Sequence, residues 1–282
     1  TAERIYADPA LVVSGALNPL GRAVPADGGY RITGQWPFAS GCQNSHFFWG
    51  QCIVEEDGDR VRMVEALVPA DDFEVVDTWN VSGLRGTGSH DVRVTDLFVP
   101  DERMTSALTT PTRETGVLFR LPPFSRLAYN KVGVATGIAR AALDHFSDLA
   151  STKTPRASGR PLAERATAQL AMAEAEAELG SSRAWAFETV GELWDAVAAG
   201  HAPTSEQRAR VQLACSNAAS AAVRAVERVH AAAGTSANFI GHPLERCFRD
   251  VQVVRQHIMV SPQWFEAAGR VLLGLDSRSP LI

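Results

Sequence analysis

The chain has 282 residues, 45% of them hydrophobic, which is enough for two domains with substantial cores. A formal net charge of −5 argues against nucleic acid as the main partner, because a phosphate-binding surface needs a basic stripe. No apolar run approaches the ~20 residues of a membrane span, and we expect no signal peptide. The four cysteines are scattered, so we expect a reducing cytoplasm and neither a zinc site nor a disulfide framework.

The first part of the chain, residues 1–112, has the pattern of short strands separated by turns. Several such strands in succession are typical of a compact β-barrel or β-sandwich. The predicted strands and the hairpin turn are Tyr30–Thr33, His46–Val54, the Asp57-Gly58 turn, Val61–Val68 and the run from Val92 to Val99.

Residues 100–120 have the composition of a linker, and residues 113–282 have the pattern of helices. We expect helices over Phe124–Leu149, Leu162–Ala199, a third that opens with a capping box at Thr204, and a fourth over Pro243–Leu273. Long helices with apolar positions every three or four residues predict an antiparallel four-helix bundle.

The apolar stripes of the second and third helices are rich in Ala and Gly, so we expect other subunits of a homotetramer to share bundle faces. The predicted stripe of the second helix is Ala166, Leu170, Ala173, Ala177, Gly180, Ala184, Phe187, Gly191 and Trp194. The predicted stripe of the third is Val211, Cys215, Ala218, Ala222, Ala225 and Val229.

Two segments of the strand region carry candidate functional residues. The segment 34–42 either is a plain connection with an aromatic plug or faces a ligand, with Trp36 and Phe38 as flat apolar surface and Ser40 as a donor. The glycine-rich segment 82–89 precedes a strand and not a helix, which excludes a dinucleotide-binding loop and favours a β-turn.

Three cations, Lys153, Arg156 and Arg160, lie between the first two long helices. They could hold a phosphate or belong to a solvated loop, and the sequence leaves both interpretations open.

Asp250 and His257 lie seven residues apart in the predicted fourth helix, and we therefore expect them on one face of it. A histidine can exchange protons near neutral pH, although a buried structural histidine or a surface one is the alternative. The helix taken alone does not distinguish these alternatives.

Three segments, GGYRITGQWPFASGC, VSGLRGTGSHDVRVTDLFVP and PLERCFRDVQVVRQH, together resemble the acyl-CoA dehydrogenase fold. Within it, the chain resembles the two-component flavin-dependent monooxygenases that hydroxylate phenols and related small molecules. The resemblance covers nearly the whole chain and implies an α+β architecture, a β middle domain followed by the bundle. Members carry an additional N-terminal helical domain of roughly a hundred residues. We expect the first few residues here to be the tail of that domain.

One departure separates the subfamilies. Many acyl-CoA dehydrogenases carry Tyr-Glu-Gly shortly after this Arg-Asp, and its Glu abstracts the substrate α-proton. The present chain has Arg255-Gln256-His257 in that region, and Glu266 lies too far along to fit the motif. Similar hydroxylases have a histidine where His257 stands. The resemblance therefore implies that His257 is the base that acts on a phenolic hydroxyl.

The resemblance further implies that a separate reductase supplies reduced flavin, FMNH2 or FADH2, and that the flavin reacts with O2 to give a C4a-hydroperoxide. The flavin is expected between the β domain and the bundle, with water excluded. Ser40 is expected near flavin N5 or the peroxide, with Trp36 and Phe38 along the pocket. Lys153 and Arg156 are the candidates for the flavin phosphate, and Asp250 is expected beside the substrate.

Three alternatives stay open. An acyl-CoA dehydrogenase or oxidase with a displaced base would bind FAD tightly and need no O2 for electron transfer to a dye. A non-enzymatic relative would keep the fold as a scaffold and bind no flavin. An N- or S-oxygenase would share the cofactor chemistry, because the fold does not determine the substrate.

Overall fold

The computed structural model describes residues 5, 7–56, 59–106, 114–156, 158–279 and 282. These residues form two units. The β unit contains the described residues up to Val81 and from Arg85 to Ser106, and the helical unit contains Ser82–Leu84 and the described residues from Glu114 onward. The domain boundary predicted at residue 112 and the turn predicted at Asp57-Gly58 both lie outside the described residues.

The β unit is one mixed seven-stranded sheet in the order β5-β6-β2-β1-β3-β4-β7. All seven strands belong to one hydrogen-bonded sheet, and the expected closure of this sheet into a barrel or sandwich stays a prediction. The strands are β1 (Val13–Ala26), β2 (Gly29–Trp36), β3 (Phe47–Glu56), β4 (Asp59–Pro69), β5 (Glu74–Val76), β6 (Asp91–Pro100) and β7 (Met104–Thr105).

The central strand, β1, was not predicted from the sequence. It runs antiparallel to β2 and parallel to β3, and its pairing with β3 shifts register between Ala16 and Gly21. This irregularity breaks the alternation of apolar and polar residues from which strands are recognised. The Asn18-Pro19 pair inside the strand is also a turn signal in the sequence.

The helical unit contains six helices among its described residues, and α4 lies at its centre, in contact with α2, α3, α5 and α6. None of the described helices is both long and apolar enough to cross a membrane. The helices are α1 (Val117–Arg120), α2 (Pro123–Thr152), α3 (Ala166–Ala198), α4 (Ser205–Ala233), α5 (Pro243–Gln256) and α6 (Gln263–Leu272).

The sequence predictions for α4 are confirmed. Thr204 Oγ1 accepts from Gln207 N at 3.1 Å and Gln207 Oε1 accepts from Thr204 N at 2.9 Å, which is a complete capping box. Every member of the predicted α4 stripe is buried.

The helix predicted at Leu162–Ala199 is confirmed as α3, but its predicted buried stripe is wrong. Its buried face consists of Ala168, Ala175, Leu179, Ser182, Ala186, Thr189, Leu193 and Val197, whereas Leu170, Phe187 and Trp194 of the predicted stripe are exposed. Alanine occurs on all sides of α3, so its periodicity does not identify the buried face.

The predicted fourth helix is two helices. α5 ends at Gln256, and His257 has extended backbone angles, φ −61° and ψ 129°. Pro262 precedes α6, and a proline disfavours helical geometry at the residue before it. His257 is therefore the residue at which α5 ends and the turn to α6 begins, and the face that it was expected to share with Asp250 stays a prediction.

Candidate functional site

A row of three hydroxyls joins the two candidate segments of the β unit. Ser40 Oγ lies 2.7 Å from Ser89 Oγ, which in turn lies 2.7 Å from Thr87 Oγ1. Gly41 N donates to Thr87 O at 2.9 Å and holds the segments together. Ser40 is exposed and Ser89 is buried. The row therefore gives Ser40, at the surface of the unit, a hydroxyl partner within the protein. Sequence reasoning missed Ser89 and Thr87, since the contact spans 49 residues.

Phe38 presents an aromatic ring beside this row. Its side chain is 67% exposed, and it meets the ring of Trp79 edge to face at a centroid distance of 6.1 Å. Its φ of 63° lies in the left-handed region, which is uncommon for a bulky residue and is often found at functional sites. The arrangement supplies flat apolar surface, as the sequence indicated.

Trp36 was expected to line a pocket, but its side chain is fully buried in the β unit. Its Nε1 donates to Gln51 O at 2.7 Å. A Cβ at Gly21, Gly34 or Gly50 would lie 2.2–2.8 Å from the indole ring, so these glycines form the slot in which the ring packs. Trp36 therefore contributes to the core and does not offer its ring to a ligand.

In the helical unit, the turn between α5 and α6 is held from two sides. The buried Gln212 of α4 donates from Nε2 to Met259 O at 2.8 Å, and Trp264 of α6 donates from Nε1 to Ile258 O at 2.6 Å. Met259 itself is buried. These bonds place His257 on a constrained backbone. The sequence did not reveal Gln212, because the partner lies 47 residues away.

The imidazole of His257 is neutral near pH 7. The residue is exposed to solvent, yet protein atoms around the ring remove hydration, and this desolvation lowers the pKa of His257 to about 4. The positive charge of Lys131 on α2 is the second cause, and both causes disfavour the protonated ring. His257 Nδ1 accepts a hydrogen bond from Met259 N at 3.2 Å.

Asp250 has partners within the helical unit. Its Oδ1 accepts from Leu84 N at 2.7 Å, and its other oxygen lies 3.7 Å from Arg246. Gly83 permits this close contact, because a Cβ there would lie 2.3 Å from Arg249 O. Asp250 therefore anchors the 82–84 segment to α5, and its expected place beside the substrate stays a prediction.

Lys153 and Arg156 differ in their surroundings. Lys153 Nζ donates to Ala233 O at 2.6 Å, at the carbonyl end of α4, where a cation is favoured by the helix dipole. Arg156 is exposed. The ammonium of Lys153 retains two further donors, so this bond does not prevent it from also binding an anion.

A cavity of about 680 Å³ lies between α2 and α3. Its lining includes Tyr129, Arg140, Arg183 and Phe187. It contains none of the catalytic or cofactor-binding residues predicted from the sequence, and Arg140 is paired with Glu176, at 2.5 Å.

The comparisons with known proteins agree with this architecture. Residues 130–262 match the family described as acyl-CoA dehydrogenase, C-terminal domain. The indole-3-acetate monooxygenase of Acinetobacter baumannii is 30% identical over 278 residues, which span 98% of this chain and 71% of that protein. The oxygenase component of the FADH2-dependent resorcinol hydroxylase of Rhizobium sp. is 31% identical over 296 residues, spanning 96% of this chain and 71% of that protein.

Among solved structures, XiaF from Streptomyces sp. in complex with FADH2 and glycerol superposes with a TM-score of 0.92. Its sequence is 26% identical, and the match covers 99% of this chain and 73% of that one. The chain therefore belongs to the oxygenase components of the flavin-dependent monooxygenases, which have the acyl-CoA dehydrogenase-like fold.

Proposed function

We propose that the protein inserts one oxygen atom of O2 into a small aromatic substrate, using reduced flavin that a separate reductase supplies. The observation that carries this proposal is the turn between α5 and α6. It presents the neutral imidazole of His257, and residues 257–262 contain no carboxylate that could abstract an α-proton as in a dehydrogenase. The relatives named for indole-3-acetate and resorcinol support a small aromatic substrate.

The donor groups of the chain fit a flavin. In the β unit, Phe38 and Trp79 supply aromatic surface suited to a planar ring system, and Ser40 supplies a hydroxyl suited to a ring nitrogen. In the helical unit, Lys153 and Arg156 supply cations suited to a phosphate. When bound, reduced flavin supplies the two electrons with which one oxygen atom enters the substrate and the other leaves as water.

The residues of this chain have three roles in the proposal. Phe38 and Ser40 hold the flavin ring, and the hydrogen bond to Ser89 keeps the Ser40 hydroxyl in place. His257 contacts the substrate with its polar ring, and the bonds from Gln212 and Trp264 hold the turn that carries this ring. In Ser40→Ala, more of the electrons of the reduced flavin should be lost to hydrogen peroxide. The measurement is the yield of hydrogen peroxide per flavin oxidised, which should rise. An unchanged peroxide yield would remove Ser40 from the site.

We also propose a homotetramer, supported by the exposed apolar residues Leu170, Phe187 and Trp194 on α3. An exposed apolar face of this kind is typical of a subunit interface. Light scattering should give a tetramer for the wild type and smaller species for Trp194→Glu. A wild-type monomer would contradict the proposal. The four free, buried cysteines support a reducing compartment, the cytoplasm.

One experiment separates this function from that of a dehydrogenase. Oxidised flavin and the protein are mixed without O2 with an acyl-CoA thioester or, separately, with an aromatic substrate such as resorcinol, and flavin absorbance is followed. A monooxygenase leaves the flavin oxidised, whereas a dehydrogenase lets the substrate reduce it. Adding a reductase with NADH and O2 should then give hydroxylated product. Substrate-driven flavin reduction without O2 would refute the proposal.

A further inference from the structure

The Nδ1 atom of His257 already has a partner, and this partner determines where the ring carries its proton. Met259 N donates to Nδ1 at 3.2 Å. A nitrogen that accepts a hydrogen bond uses its lone pair, and a neutral imidazole has only one N–H group. The proton of the neutral ring therefore lies on Nε2. On that side the ring offers a donor and no lone pair.

The positive charge of Lys131 disfavours a second proton on the imidazole of His257. Lys131 is partly buried on α2, its Nζ donates to Asn130 Oδ1 at 2.9 Å, and α2 packs against α5. Of the charged groups in the described part of the chain, Lys131 is the one whose charge lowers the pKa of His257, after desolvation. A second proton, on Nδ1, would also face the N–H of Met259. Charge and hydrogen bonding therefore favour the same form of the ring.

We propose that His257 acts on the substrate as a hydrogen-bond donor through Nε2–H, and that Lys131 is the positioning residue that keeps the ring in this form. The inference rests on the function proposed above and changes the role that the resemblance implied, since a ring protonated on Nε2 cannot accept the proton of a substrate hydroxyl there. The proton of a phenol leaves to bulk water as the substrate binds, and the oxygen keeps the electron pair. The phenolate oxygen then accepts from Nε2–H.

The proposal selects a class of substrate. A phenol or phenolate oxygen accepts a hydrogen bond, whereas the N–H of an indole is only a donor. An indole nitrogen placed at His257 would leave two N–H groups facing each other unpaired, which is unfavourable in a site that excludes water. The acceptor that His257 holds is therefore an oxygen, and the preferred substrates are phenolic.

Nitrogen-15 NMR of the chain labelled at histidine measures the tautomer directly. The signals of His257 are assigned by their loss in His257→Gln and His257→Asn. We expect a protonated Nε2 and an unprotonated Nδ1 from pH 7 down to about pH 5.5. A ring protonated on Nδ1 with a bare Nε2, or a ring that titrates near its ordinary pKa, would overturn the proposal.

Two amide substitutions separate a donor from a base. The amide nitrogen of Gln can lie near the position of Nε2, that of Asn reaches only the position of Nδ1, and neither amide is a base. With resorcinol as the probe, His257→Gln should keep product per flavin oxidised within about tenfold of the wild type, and His257→Asn should lower it by about 10²–10³-fold. If His257→Gln loses as much product as His257→Asn, the donor role is wrong.

Lys131 is tested by a readout that a purely structural residue would not move. In Lys131→Met the NMR titration of His257 should shift to higher pH, and Lys131→Arg should restore it. An unshifted titration in Lys131→Met would remove Lys131 from the proposal.

This inference and the proposed function fail separately. The tautomer is measured without flavin, so the predicted tautomer in a protein that makes no product would refute the function alone. Product formed by a protein with the Nδ1–H tautomer would refute only the donor role.

Discussion

Gln212 provides a quantitative test of how the α5–α6 turn is held. Its side chain is 2% exposed and donates from Nε2 to Met259 O at 2.8 Å. Gln212→Met keeps the length of the side chain but removes the donor, so the Met259 carbonyl loses its side-chain partner. A polar group left unpaired in this way costs about 1–3 kcal/mol. In a unit of this size, each kcal/mol lowers the Tm by about 2–4 °C.

The assay is urea and thermal unfolding followed by the helical circular dichroism signal. Ser216→Ala is the matched control, one turn along α4, because Ser216 Oγ is buried without a hydrogen-bond partner among the described residues. Removing that hydroxyl should be neutral or stabilising. Gln212→Met should also lower product per flavin oxidised, because a displaced turn moves His257. Equal unfolding free energies for the two variants would refute this account of the turn.

Further predictions concern four other positions. Asp250→Ala should lower the unfolding free energy by about 1.5–3 kcal/mol, because it removes the carboxylate that accepts from Leu84 N. Asp250→Asn should lower it less. Equal urea midpoints for Asp250→Ala and wild type would show that the contact contributes nothing. Replacing Lys153 and Arg156 together with Ala should weaken reduced-flavin binding by about 1–3 kcal/mol in an anaerobic titration, and an unchanged Kd would assign them to a solvated loop. Since burial and Lys131 lower the pKa of His257 to about 4 in the folded state, its contribution to stability is present above the unfolded pKa of about 6.5 and is lost as pH falls towards 4. Thermal unfolding at pH 7 and pH 5 should therefore show a greater loss for wild type than for His257→Gln, and parallel losses would contradict the lowered pKa.

The sequence predicted local features well where a single pattern determined the structure. The capping box at Thr204 and the buried stripe of α4 followed from residue spacing alone. The same reasoning failed on α3, where alanine on every side removes the contrast between faces. It also failed on β1, where Pro19 and the register shift obscure the strand.

The candidate site was only partly predictable. Resemblance indicated Ser40 and His257 as candidates, and the Ser261-Pro262 pair could have indicated that the fourth helix breaks just after His257. Their surroundings could not be read in advance, because the contact from Ser40 to Ser89 joins residues 49 positions apart. For the same reason the burial of Trp36, which depends on glycines from three strands, was not visible in its own segment.

The central claim is oxygen transfer from O2 to an aromatic ring, and isotope labelling tests it most directly. The protein, a flavin reductase, NADH, flavin and resorcinol react under ¹⁸O2 in ordinary water, and the product is analysed by mass spectrometry. The account predicts one ¹⁸O atom in each molecule of hydroxylated product, and no product when O2 is withheld. A product whose new oxygen comes from water, or one that forms without O2, would contradict it.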